Sequence, residues 1–296
     1  MKKIKLLLMM VVASMMMASC GTSSTVPVTG RKHTLLVSDA QVLSLSNEQY
    51  SAFMKKNSVS TNSTNTAMVK RVGRRLATAV ENYLRQHGAS GEIQNFSWEF
   101  NLVQSKEANA FCMPGGKIVV YEGLLPYTQN ENALAIVLGH EIAHAVAKHS
   151  AEQMSKQIRQ TYGTQILGTV LNSAVGSGVG DIASAVAQQG FSFANLKYSR
   201  ANESEADHIG LIFAAMAGYN PREAIPFWQR MSGGKSSGSD IFSDHPSDTK
   251  RIAALQQLMP EAEKYYRASG YASTVGQSSA TGTAKRTTTR STKRRK

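Results

Sequence analysis

His140 and His144 stand four residues apart with Glu141 beside the first, in the run from Leu138 to Ala147. The residues leading in, 132–138, are mostly Ala, Leu, Ile and Val without proline, and that composition predicts a helix. On a helix, positions four apart share a face, so both imidazoles can grip one metal ion. Glu141 lies one step round, within reach of a water on that ion but not placed as a ligand. The H-E-x-x-H pattern reads as a zinc hydrolase, with one Zn2+ per chain. Ile136, Val137, Ala143 and Val146 flank the pair, so the helix is expected to be buried on several sides. A buried histidine pair needs a partner, and a metal supplies one.

A catalytic zinc needs a third protein ligand and one open position. The best source is the stretch from Tyr198 to Asp207. A helix there puts Glu203 and Asp207 on one face, with Arg200 three residues before Glu203. Glu203 can ligate the metal, and Asp207 can accept the free ring N–H of a ligating histidine. Glu205 points away by this spacing and reads as structural. His149 and His208 are each five residues from a ligand and are rejected as ligands. His33 and His87 fall in segments expected at the surface.

These residues together resemble peptidase family M48, the gluzincin-type metallopeptidases that include the CAAX prenyl proteases and bacterial periplasmic quality-control proteases. The likeness rests on His140-Glu141-x-x-His144, Glu203-x-x-x-Asp207 with Arg200 before it, Asn109-Ala110-Phe111 with Pro114-Gly115-Gly116, and Asp244-His245-Pro246-Ser247. It covers about residues 27–259. It implies an α+β, mainly helical, zincin-like domain with a small antiparallel sheet beside the active-site helix. It implies His140, His144 and Glu203 as metal ligands, Glu141 as general base, and Asp207 and His245 as further site residues. His245 either stabilises an oxyanion or fills the open metal position in a resting state. An extended substrate is expected to pair with the segment Lys117 to Tyr121.

The resemblance further implies a zinc endopeptidase acting on unfolded or misassembled cell-envelope proteins. The alternative is a gated, chaperone-like assembly factor that binds such clients and cleaves rarely. No transmembrane helix is expected after the start of the chain, so the likeness is to the lipoprotein branch.

The ends of the chain fit that branch. Lys2, Lys3 and Lys5 followed by the apolar run Leu6 to Met17 read as a signal peptide, residues 1–20, too short for a comfortable membrane span. Small residues before Cys20 read as a lipoprotein cleavage site, with a lipid on Cys20 tethering the protein to a membrane. An outer membrane facing the periplasm is the expectation. Cys112 is the one other cysteine, expected as a small buried hydrophobe, so the fold must be held by its core. Three lysines of the signal and seven basic residues of the tail account for ten of the net +13 charges, leaving +3 elsewhere. That near-balance gives nucleic-acid binding little support. The tail, 271–296, reads as disordered, and residues 21–270 as the peptidase domain.

Between the ends, Ser38-Asp39 opens a helix running to about Lys56, and Asn57 to Asn65 reads as a linker. Thr66 to Gln86 follows as an amphipathic helix. Phe96 to Val103 and Lys117 to Tyr121 read as strands. The Gly/Ala/Ser-rich stretch from Leu171 to Ala187 is either a packed helical hairpin or a lid over the cleft. Phe193 to Met216 reads as one helix, and Ser247 to Leu258 as another.

Overall fold

A computed structural model describes residues 22–172, 190–233 and 249–270. The expected signal peptide, Cys20, the expected disordered tail, His245 and residues 173–187 of the stretch read as a hairpin or lid lie outside the described residues. The described chain is mainly helical with two small sheets. An N-terminal hairpin, β1 (Thr22–Thr25) and β2 (Lys32–Leu35), turns at Pro27 to Gly30. Helix α1 (Asp39–Lys56) begins at the capping residue Ser38, and α2 (Ser63–Gln86) begins at Asn62. The linker expected up to Asn65 is thus shorter, because Asn62 accepts a hydrogen bond from the Asn65 backbone and starts the helix early.

The second sheet has the order β3 (Glu99–Val103), β5 (Lys117–Tyr121), β4 (Ala110–Met113). It lies beside the active-site helix as expected, but it is mixed: β4 is antiparallel to β5, and β3 is parallel to it. Phe96 and Trp98 stay outside the strand, stacked ring on ring at 4.5 Å. β5 is the central strand, hydrogen-bonded on both sides, so it has no free edge for a substrate. β4 is the outer strand on the side of the H-E-x-x-H helix.

After the short α3 (Leu125–Thr128) comes that helix, α4 (Glu131–Val146), capped by Asn130. Nearly every residue of α4 is buried, which explains its almost continuous apolar sequence. Its partner is α6 (Arg200–Met216), followed by α7 (Ala224–Gly233) and α8 (Thr249–Ala268); α5 (His149–Asn172) follows α4 directly. The helix expected from Phe193 starts only at Arg200, where Ser199 caps it. Before it, Phe191 and Phe193 bury their rings in a smaller core with Phe111, Met113 and Val119. Helix α8 runs past Pro260, beyond the expected end near Leu258.

Helices α4 and α6 cross at two glycines. A Cβ added to Gly139 would lie 2.6 Å from the Gly210 carbonyl oxygen, and one added to Gly210 would lie 2.6 Å from the His140 nitrogen. Side chains would hold the two backbones apart. Their absence lets the acidic residues of α6 reach the histidines of α4. Among the described residues, no helix is long and apolar enough to cross a membrane.

Candidate metal centre

His140, His144 and Glu203 are buried and each offers a ligand atom, all within 4.8 Å of one another. The Nε2 atoms of the two histidines are 3.1 Å apart. Glu203 spans them, with Oε2 3.4 Å from His140 Nε2 and Oε1 3.4 Å from His144 Nε2. Two imidazole nitrogens and a carboxylate oxygen are the donors a catalytic divalent metal takes, with room for a further ligand.

Each donor is aimed by a neighbour. Asp207 Oδ1 sits 2.9 Å from His140 Nδ1. A carboxylate there holds a proton on Nδ1, so the Nε2 proton is the one His140 gives up when a metal binds. Arg251 of α8 donates to the same Asp207 oxygen at 2.6 Å and stacks on Trp228, with Cζ 3.5 Å from the ring centroid. On the other side, the Tyr198 ring stacks on His144 at 4.0 Å, and its hydroxyl meets Ser150 at 2.8 Å.

Burial raises the Asp207 carboxyl, but the Arg251 charge and the His140 hydrogen bond outweigh it and hold the carboxyl below its ordinary value. Burial and Arg251 both work against protonation of His140. The hydrogen bonds to Asp207 and Glu203 outweigh them and lift its pKa to about 9. His144 goes the other way: burial dominates and pushes its pKa well down. Glu141 is buried on the same helix, 2 % exposed. Its charge is felt by Cys112 on β4, whose thiol is pushed well up, by burial first and Glu141 second.

Residues 63–259 match the family model described as peptidase family M48. The chain belongs to peptidase family M48. It is 40 % identical over 187 residues to the mitochondrial metalloendopeptidase OMA1 of Arabidopsis thaliana, covering 62 % of this chain and 36 % of that protein. It is 31 % identical over 248 residues to the mitochondrial metalloendopeptidase OMA1 of Bos taurus, covering 80 % of this chain and 46 % of the relative. It is 31 % identical over 165 residues to the β-barrel assembly-enhancing protease of Yersinia pestis, 53 % of this chain and 33 % of that protein. The chain thus spans between a third and a half of each of these relatives.

Within this M48 site, the structure revises several readings made from spacing alone. Arg200 is exposed and stands apart from the donors; the arginine at the site is Arg251, far along the chain. His33 is buried, 6 % exposed, with Nδ1 3.2 Å from Glu152. His87 is exposed, as expected, and stacks on Tyr83 at 3.9 Å. His208 pairs with Glu261 at 2.8 Å. His149 is not among the three clustered donors, yet its Nδ1 lies 2.9 Å from His144 Nδ1. Glu205 is buried, 8 % exposed, and lies outside the donor cluster. It meets His149 Nε2 at 2.9 Å. Arg251, Trp228 and Tyr198 carry no local motif, and only the fold assembles them.

Proposed function

We infer that the chain is a zinc endopeptidase hydrolysing peptide bonds of unfolded or misassembled cell-envelope proteins. The observation that carries the reading is the buried His140–His144–Glu203 donor set with Glu141 on the same helix. The names of the M48 relatives, metalloendopeptidases and an assembly-enhancing protease, support peptide hydrolysis and an envelope setting.

His140 and His144 through Nε2, and Glu203 through a carboxylate oxygen, would hold one zinc ion. When bound, zinc supplies Lewis acidity and lowers the pKa of a coordinated water towards ~7. Glu141 accepts the proton of the attacking water and returns it to the leaving amine. Asp207 holds the His140 proton on Nδ1, so that Nε2 is the nitrogen that would bind the metal. The substrate pairs with β4, the outer strand nearest the metal helix, rather than with the enclosed β5. His245 joins the site through the Asp244-His245-Pro246-Ser247 motif, six residues before Arg251. A lipid on Cys20 anchors the protein to the outer membrane on its periplasmic side.

The test is casein degradation by the purified chain lacking residues 1–20, with and without a zinc chelator, beside Glu141→Gln. Cleavage lost with chelator, and reduced about 10²- to 10⁴-fold in Glu141→Gln with zinc retained, supports the enzyme. A Glu141→Gln chain that fully replaces the wild type in cells would instead favour the client-binding assembly factor.

A further inference from the structure

We propose that Thr29 and Arg31 of the N-terminal hairpin, acting through Glu205 and His149, set the tautomer and orientation of His144. They are positioning residues for the metal site, and the proposal rests on His144 being a metal ligand. Both hairpin residues lie outside residues 63–259, the span matched by the family model.

The argument runs from the outside inwards. Glu205 Oε1 accepts from the Thr29 hydroxyl at 2.5 Å, and Oε2 accepts from Arg31 Nε at 2.7 Å. The other two Arg31 nitrogens are held by Glu152 at 2.6 and 2.9 Å. The guanidinium is thus clamped between two carboxylates, and Glu205 is fixed as a charged acceptor. A carboxylate only accepts, so the nitrogen facing it, His149 Nε2 at 2.9 Å, must carry the proton.

A neutral His149 then has a bare Nδ1. That atom is 2.9 Å from His144 Nδ1, and two bare nitrogens do not bond. His144 must donate, with its proton on Nδ1. Its Nε2 is left with a lone pair, and Nε2 is the atom that sits 3.1 Å from His140 Nε2 and 3.4 Å from Glu203. The charge on Glu205 therefore dictates, through two imidazoles, which nitrogen of His144 carries the lone pair that can bind metal.

The geometry is built for this. His149 is 1 % exposed, and its ring stands at 71° to that of His144 with centroids 4.9 Å apart. Lys148, between α4 and α5, takes a left-handed conformation, φ 56°, which turns α5 so that His149 folds back on His144. Ion pairs to Asp39 at 2.8 Å and Glu92 at 2.9 Å hold Lys148 there. In the hairpin, Val28 at φ 73° and Gly30 at φ 69° close the turn that presents Thr29 and Arg31. The two ligand histidines are thus supported differently. His140 faces a carboxylate directly, whereas His144 faces one through a second histidine.

The test reads the proton positions first. Long-range ¹H–¹⁵N correlation on the full, metal-free, ¹⁵N-histidine-labelled chain should show His149 protonated on Nε2 and bare on Nδ1, and His144 protonated on Nδ1. A His149 proton on Nδ1, or a His144 proton on Nε2, overturns the proposal. Zinc affinity, measured by competition with a chelator, is the second reading. Glu205→Gln should weaken zinc binding about 10- to 100-fold. Arg31→Ala and Thr29→Val should weaken it less, and Thr29→Ser should restore wild-type affinity. Unchanged affinity in both Glu205→Gln and Arg31→Ala overturns the proposal. If a variant loses its fold, the wild-type proton positions decide alone. A wild type that takes up no zinc defeats the enzyme reading, while the proton pattern of the metal-free protein is still read independently.

Discussion

Arg251 donates to Asp207 Oδ1 at 2.6 Å, and that same oxygen lies 2.9 Å from His140 Nδ1. One carboxylate oxygen therefore joins α8 to the metal helix. Both groups are buried, with 5 % of the Arg251 side chain and 8 % of the Asp207 side chain exposed. Removing one member takes the nearest opposite charge from the other in the interior, which costs up to about 3–5 kcal/mol, although Arg251 keeps Glu203 at 3.6 Å and Asp207 keeps His140. Asp207→Asn should lower zinc affinity about 10- to 100-fold with a smaller loss of stability, because Asn keeps the shape but no longer imposes the His140 tautomer. Arg251→Lys should fall between wild type and Arg251→Ala, since an ammonium neither stacks flat on Trp228 nor forks. Chelator competition and thermal melts separate the two effects.

The glycine crossing makes a steric prediction. Gly210→Ala would push a Cβ to 2.6 Å from the His140 nitrogen, against backbone that has no slack. A loss of about 1–3 kcal/mol in urea unfolding is expected, together with weaker zinc binding as α6 moves away. Gly91→Ala is the control, because a Cβ there has nothing within 4 Å. It should change stability by no more than about 0.5 kcal/mol.

Acid should weaken the junction between hairpin and α5. Burial works to raise the Glu152 carboxyl, but its hydrogen bonds to His33 and Arg31 prevail and hold its pKa at about 2, against an ordinary 4.5. The folded pKa lies below the unfolded one, so the unfolded chain takes up the proton first as pH falls. The stabilisation is complete above about 4.5 and is lost as pH drops towards about 2, amounting to on the order of 1 kcal/mol once solvent screening of this half-buried group is allowed for. Melting temperatures from pH 6 to pH 2.5 should fall less steeply in Glu152→Gln than in wild type. Equal slopes would show that the ion pair contributes nothing.

Metal removal should be visible without any substrate. If zinc binds the folded chain alone, a thousandfold excess over Kd stabilises it by about 4 kcal/mol. Chelation should then lower the melting temperature by on the order of 10 °C, and added zinc should restore it. Glu203→Gln should melt at the same temperature with and without chelator.

What could be read from sequence follows from how local each signal is. His140, Glu141 and His144 lie within one helical turn, so their shared face is dictated by 3.6-residue periodicity. Glu203 and Asp207 obey the same rule, and spacing alone paired them. Ser38 announced a helix start, whereas Asn62 was overlooked because the polar run around it looked like linker. For Glu205, helical spacing gave the turn away from the metal but not its partners, because spacing gives only the angle between residues. It does not say that a second surface, made of the hairpin and His149, covers the opposite side of α6. Arg251 and Trp228 were illegible for a related reason: an arginine on one helix and a tryptophan on another become meaningful only once packed together. The sheet expected to be antiparallel is mixed, since β5 follows β4 in sequence yet lies between β4 and a parallel β3, and only long-range pairing decides that.

Gly139 and Gly210 also have a consequence for how the protein acquires its metal. The histidines come from one short stretch and the acidic residues from another, and neither stretch is a binding site by itself. They become one only when the two glycines touch. Contacts within each stretch form early in folding, while docking α6 on α4 closes a long loop and comes late. Zinc uptake by a refolding chain should therefore lag behind helix formation and coincide with that docking, so the ion acts as a clock for the last long-range step rather than as its nucleus.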